Sequence, residues 1–274
     1  MLYMTEGRMT MLWQDLHTHT VHSDGKSDIR LMIQTAGVYG LNTIAITDHC
    51  SDRYSFDPER LQQECAAARK EAACHVIAGV EAVVLDIDGH LSIADEMIPH
   101  LELVLGELNR KTKGCFESGH PEQRAENIIK AMVNACRRNP CLRILAHPLN
   151  VAAPAGVDLT LFTDDLLDEL ALACKQNQVA FELMSDQWWW FRTQPLDKVT
   201  EEYARIVSYI AGKGVELTLG SDAHSHQGVG NFIWAMRVLQ LADIDESRIA
   251  YIMPPNPTPG VAIAGAKEAN SHEH

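Results

Sequence analysis

The segment Asp15-Leu16-His17-Thr18-His19 sets two imidazoles two residues apart, with Ser23-Asp24-Gly25 close behind. If the chain enters through a strand at Met11-Leu12-Trp13, alternate side chains share a face, and His17 and His19 project together. Two adjacent imidazoles fill a core poorly and grip a divalent cation well, and Asp24 adds an oxygen nearby. Alone, the pair is ambiguous. Further candidates, however, each follow a short apolar run. Asp48-His49 follows residues 43–47, Glu81 follows 76–80, and Glu107 with Asn109 follows 101–106. His147 follows 142–146, Glu182 follows 179–181, and Asp222 with His224 follows 215–219. Buried polar groups need partners, so such a set without a cation would be costly. Metal binding is the expected chemistry.

The elements that must position these residues alternate. Ser27-Asp28 caps an expected helix to about Tyr39, ended by Gly40. Asp57-Pro58-Glu59 starts another, to about Cys74. Residues 82–93 carry Asp88-Gly89 and read as a hairpin. Further helices are expected from Pro121 to about Arg138, from a Thr163 cap to about Gln178, over about 196–212 and over about 232–241. About seven strand–helix alternations imply a parallel sheet with right-handed crossovers. An open sheet gathers its ligands at one switch point, whereas a closed barrel offers every strand end. Candidates on six or more strand ends favour a closed, TIM-like barrel, one domain over 1–253. The four prolines within 254–259 begin an extended or disordered tail, 254–274.

Composition narrows the function classes. The 274 residues hold 23 basic against 37 acidic side chains, a net charge of -14, which disfavours a nucleic-acid or anionic-membrane surface. An anionic substrate is still allowed, because bound cations reverse the local field. The seven cysteines are odd in number and scattered, with no Cys-x-x-Cys, as in a reducing cytoplasm. No signal peptide or membrane-length apolar run is visible, so a soluble cytoplasmic protein is expected.

Five pieces in register resemble the PHP family, the polymerase and histidinol phosphatase metallohydrolases. They are Asp15-Leu-His17-Thr-His19 with Ser23-Asp24-Gly25, Ile46-Thr47-Asp48-His49, Gly79-Val80-Glu81, Ala146-His147-Pro148 and Gly220-Ser221-Asp222-Ala223-His224. The resemblance implies a distorted (β/α)7 barrel and two or three divalent ions, zinc, manganese or iron, used to hydrolyse phosphate esters. By position it gives one ion to His17, His19, Glu81 and Asp222. Glu81 would bridge to a second with His147, and Asp24, His49 and His224 would hold a third. Phosphatase-like members place another histidine where this chain reads Gly106-Glu107-Leu108-Asn109. Either Glu107 or Asn109 substitutes there, or the second position is weak.

The remaining residues are weighed against plainer roles. Asp48 either works beside His49 and His224 in catalysis or only orients His49; Asp15 more often supports than ligates, and Glu182 is balanced between ligand and scaffold. Trp188-Trp189-Trp190-Phe191-Arg192 falls in a loop at the active mouth, where Arg192 is a candidate phosphate clamp, with Arg53 and Lys26 as others. His22 is expected beside the site, and Cys50 as a bystander. The leading reading is a small-molecule phosphatase or phosphodiesterase that uses a metal-activated hydroxide. The alternatives are a PHP-type nuclease and a non-catalytic metal-stabilised binding or regulatory module.

Overall fold

The computed structural model describes residues 2–5, 8–11 and 13–261. A hairpin of β1 (Leu2–Thr5) and β2 (Arg8–Met11) comes first, with Leu2 opposite Met11. Met11 thus pairs backwards, and the strand that leads to the histidines is β3 (Gln14–Asp15), not 11–13. The parallel strands β4 (Thr43–Ile46), β6 (His75–Val83), β7 (Leu103–Glu107), β8 (Ile144–Leu145), β9 (Ala180–Met184) and β10 (Leu217–Gly220) follow. Their order is β3-β4-β6-β7-β8-β9-β10, and the two-residue β5 (His49–Cys50) continues the β4 side by pairing with β6. The Leu16 N–H donates to the Leu219 carbonyl at 3.2 Å, and Thr18 bridges Ala223, so the ring nearly closes. This is the expected distorted (β/α)7 TIM-like barrel.

Helices flank it: α1 (Ile29–Val38), α2 (Pro58–Ala68), α3 (Pro121–Arg138), α4 (Asp164–Asn177), α5 (Leu196–Gly212) and α6 (Ile233–Leu241). Asp28 and Asp57 accept N-terminal amide bonds from Leu31 and Arg60, as their positions required. Helix α2 ends short of Cys74 because Arg69 turns inward. Its guanidinium donates to the Val76 carbonyl and pairs with Glu102 at 2.5 Å, which ties the chain to the next strand. Residues 82–93 do fold back, with Val84 antiparallel to Leu91 and Gly89 at φ +83 against the backbone of α3.

Strand parity decides what reaches the barrel's interior. On β6, Val76, Ala78, Val80 and Ala82 pack outward under the helices, while Ile77 faces the inner plug with Leu16, Leu105, Ile144 and Ala180. Glu81 shares the parity of Ile77, Glu107 that of Leu103 and Leu105, and Glu182 that of Ala180, so all three acids point inward at the C-terminal mouth. The opposite end is closed by the chain after α6. Ile252 joins the plug and exchanges backbone bonds with the Gln14 carboxamide at 2.7 and 2.8 Å. Residues 254–261 contain no helix or strand, yet they are held: the Thr258 N–H donates to His75 Nδ1 at 3.1 Å. The expectation for 262–274 lies outside the described residues.

Candidate metal centre

At the mouth, four histidines converge on Glu81, and Asp222, Asp24, Glu107 and His224 stand around them. Glu81 is fully buried, and its Oε1 lies 2.9 Å from His147 Nε2 and 3.3 Å from His17 Nε2. Its Oε2 lies 2.8 Å from His49 Nδ1 and 3.5 Å from His19 Nε2. Asp222 Oδ1 is 3.0 Å from His19 Nε2 and 3.6 Å from His17 Nε2. Further out, Asp24 Oδ1 faces His224 Nε2 at 3.2 Å and His49 Nε2 at 3.6 Å. Glu107 Oε1 approaches His49 Nδ1 at 3.8 Å.

Second contacts fix the rings. His17 Nδ1 donates to the Glu182 carboxylate at 3.0 Å, which leaves its Nε2 as a lone pair aimed at Glu81, Asp222 and, at 3.1 Å, His19 Nε2. Glu182 also accepts the His147 N–H at 2.6 Å, and His147 sits at φ +29. Asp222, at φ +53, is held by its N–H donating to the His17 carbonyl at 2.9 Å. Two ligand candidates therefore occupy left-handed backbone that L-residues seldom adopt, strain of the kind stored at functional sites. Gly220 is needed for contact of another sort. A Cβ there would overlap Glu182 Oε1 and sit 2.7 Å from His17 Cβ.

Lone pairs that face one another call for cations, and the residues fit them. Both Glu81 oxygens, His19 Nδ1 and His147 Nδ1 are buried without any hydrogen-bond partner among the described residues. Four groups bring one ligand atom each within 4.8 Å of the others: His17–His19–Glu81, His17–His147–Asp222, His49–Glu81–Glu107 and His19–Asp24–His49–His224. Nitrogen and carboxylate donors of this kind suit zinc, manganese and iron.

Without cations, protons take their place. Burial opposes charge on His17, but Glu182, Glu81 and Asp222 hold its pKa well above the ordinary value. Burial likewise opposes His49 and His147, which neighbouring acids, Glu81 foremost, raise to about 9 and about 8. His19 is lowered by burial, and His224 is raised by Asp24 and Asp222 against its burial. Despite burial, the histidines keep Glu81 well below the carboxylate range and bring Asp24 to about 2. Glu107 goes the other way, to about 7, through burial and then the Glu81 charge.

The sequence-derived metal set of His17, His19, Asp24, His49, Glu81, His147, Asp222 and His224 is thus brought together, and Glu107 joins it. Asn109 does not. Its Oδ1 accepts from the Lys111 N–H and its Nδ2 points to Glu107, so of the two candidates Glu107 faces the cluster. The Asp48 side chain has no hydrogen bond to His49 among the described residues. Its oxygens accept from Thr20 N–H at 2.7 Å, Thr20 Oγ1 at 2.6 Å and Ser23 Oγ at 2.6 Å, fixing the loop that presents Asp24. Asp15 bonds the Ser221 and Gly230 N–H groups at 2.9 and 2.8 Å, bracing the Asp222 loop, and burial raises its pKa to about 6. His22 pairs with Glu64 at 2.8 Å beside the loop.

A cleft of about 420 Å³ opens on the cluster, lined by Asp24, His49, Tyr54, Glu107, Asn150 and Trp190 among others. A larger hollow, about 980 Å³ between α1 and α2, contains none of the metal-ligand candidates. Arg53 lines the cleft; Arg192 and Lys26 do not. The short helix Gln187–Phe191 buries Gln187 and Phe191, sets Trp190 on the His147 ring at 5.0 Å and turns Arg192 outward. There its guanidinium lies 3.6 Å from the Trp189 ring centroid. Sequence reasoning missed Arg110, Tyr54 and Asn150. Nothing in their local spacing marks them; only their place in loops after strands could have.

A nearly closed α/β barrel with convergent imidazoles and carboxylates at its C-terminal mouth defines a multinuclear metallohydrolase. A model of the PHP domain matches residues 15–218, and the chain belongs to the PHP domain family. Probable phosphatase TTE1963 of Caldanaerobacter subterraneus subsp. tengcongensis is 29% identical over 258 residues, 89% of each chain. Probable phosphatase YcdX of Escherichia coli O81 is 25% identical over 248 residues, 88% of this chain and 90% of its own. Histidinol phosphate phosphatase (HISK) of Lactococcus lactis subsp. lactis Il1403, solved with zinc, L-histidinol and phosphate, superposes with a TM-score of 0.65. That match covers 85% of this chain and 94% of the other at 16% identity, a likeness of fold.

Proposed function

We infer that this PHP-domain chain is a hydrolase of small phosphate esters, mono- or diester, working through two or three divalent ions. One observation carries the reading most directly. A fully buried glutamate, Glu81, turns both oxygens toward four imidazoles with no hydrogen bond to either. His17, His19, Glu81 and Asp222 would hold one ion. Glu81 would share a second with His147 or Glu107, and Asp24, His49 and His224 would hold a third. Bound there, such ions supply charge for the phosphoryl oxygens and a hydroxide nucleophile at neutral pH.

The chain's own residues do the rest. Glu182 fixes His17 with its proton at Nδ1 and its lone pair inward. His224 keeps its Nδ1 proton on the Asp222 carbonyl at 2.8 Å, so its Nε2 faces Asp24 free to ligate, and ligation rather than proton shuttling is its role. His49 carries the same role between Glu81 and Asp24. Tyr54 and Trp190 wall the cleft and limit water around the ester.

A cleft of this size and a net charge of -14 favour a small ester over a nucleic-acid strand. A cytoplasmic setting agrees with seven cysteines, all free, and no helix among the described residues is long and apolar enough to cross a membrane. The test is phosphate release from phenyl phosphate and 4-nitrophenolate release from bis(4-nitrophenyl) phosphate by protein loaded with zinc, manganese or iron, before and after chelation. Hydrolysis abolished by chelation is expected. Bound metal with no hydrolysis of either ester would favour the binding module, and hydrolysis of single-stranded DNA alone the nuclease.

A further inference from the structure

The cleft contains more positive charge than a lone phosphate at the metals requires. Of its three basic side chains, Lys111 is already neutralised by Asp52 at 2.9 Å. Arg53 and Arg110 have no carboxylate partner among the described residues; Arg53 only rests over the Tyr54 ring, 5.1 Å from its centroid. Two unpaired guanidinium groups on one rim stand out in a chain of net charge -14.

A second observation points the same way. Asn150 is 4% exposed, lines this cleft, and its carboxamide has no hydrogen-bond partner among the described residues, although its backbone N–H is bonded to His147. Its amide atoms are not among the sealed, unpartnered ones, so they meet the solvent of the cleft and are available to a ligand. Beyond it the hollow continues. A smaller depression of about 230 Å³ shares Arg110, Val151 and Pro154 with the cleft, which carries the groove outward from the metals.

We propose that the substrate is a phosphate ester bearing a second anionic group, phosphate or carboxylate, which Arg110 and Arg53 hold at the outer end of the cleft with Asn150 between it and the metals. This rests on the phosphoesterase reading and adds a substrate class to it. The planar guanidinium fork matches either oxyanion, and two forks on one rim distinguish a doubly charged substrate from a simple one. The outer group stays intact; its binding positions the inner phosphate and so raises kcat/KM.

The test uses matched pairs on the metal-loaded enzyme: fructose 6-phosphate against fructose 1,6-bisphosphate, and phenyl phosphate against 4-carboxyphenyl phosphate. We expect kcat/KM to favour the doubly anionic member by about tenfold or more, the size of a charge-assisted contact. That preference should shrink toward unity in Arg110→Gln and in Arg53→Gln, and shrink with added salt. Arg192→Gln, outside the cleft, should keep the preference. The pair with the larger ratio tells phosphate from carboxylate. Phenyl phosphate turnover with equal kcat/KM across both pairs, or a preference untouched by both cleft arginines, would overturn this proposal alone. No turnover of any ester would overturn the phosphoesterase reading with it.

Discussion

Replacing Glu182 with Gln tests whether the cluster depends on a residue that need not touch metal. Glu182 is fully buried; both oxygens face His17 Nδ1, Oε1 at 3.0 Å and Oε2 at 3.2 Å, and Oε2 also accepts from the His147 N–H at 2.6 Å. A carboxamide offers an acceptor at only one of the two positions. If its oxygen keeps His17, its NH2 meets the His147 N–H, and one buried donor is left unsatisfied at about 1–3 kcal/mol. If it turns round, an NH2 group faces His17 Nδ1 at the shorter 3.0 Å contact, which weakens the bond that sets its tautomer. Groups that orient metal-bound histidines are typically worth about 10–100-fold in affinity or activity, or about 1.4–2.8 kcal/mol. Competition with a chelator should therefore show weaker metal binding by that factor, kcat/KM should fall alongside, and Tm should drop several degrees. Gly220→Ala should act similarly from a distance, since its methyl would displace Glu182 and press on His17 Cβ. A Glu182→Gln enzyme with metal affinity and kcat/KM within twofold of the parent would refute this reasoning.

Acidity offers an independent check. His49 and His147 rise to about 9 and about 8 in the metal-free fold, above their usual 6.5. Their stabilisation of that fold is complete below about pH 6.5 and is lost as pH climbs through 8 to 9. Tm of the chelated protein should therefore fall over that window, and loading at pH 7 should release about three protons or more, His17 contributing with His49 and His147, read by calorimetry in two buffers. Asp48→Asn should loosen the 20–24 loop and weaken the Asp24–His49–His224 position before the others, so elemental analysis should find one ion fewer. Glu107→Gln should likewise lower occupancy beside Glu81. Arg192→Ala should leave KM for phenyl phosphate within twofold, because that side chain is stacked on Trp189 outside the cleft.

What could be read in advance followed from period and position. Two-residue spacing put His17 and His19 on one face, and the recurrence of acids and histidines after apolar runs located the barrel mouth. Strand parity puts Glu107 and Asn109 on the same side, so what separates them is that β7 ends at Glu107 and leaves Asn109 in the following turn. Hydrogen-bond allegiance was not legible. Asp48 and His49 are adjacent in the chain, but the carboxylate serves Thr20 and Ser23 across a loop. Nor does a run of tryptophans announce which ring will meet a histidine and which will carry an arginine away. Those outcomes depend on how residues 187–191 coil, a tertiary matter.

The most direct measurement is anomalous diffraction from crystals loaded with manganese or zinc. Peaks are expected among His17, His19, Glu81 and Asp222, beside Glu81 with His147 or Glu107, and among Asp24, His49 and His224. Saturating metal with no anomalous peak in contact with Glu81 would contradict the account at its centre.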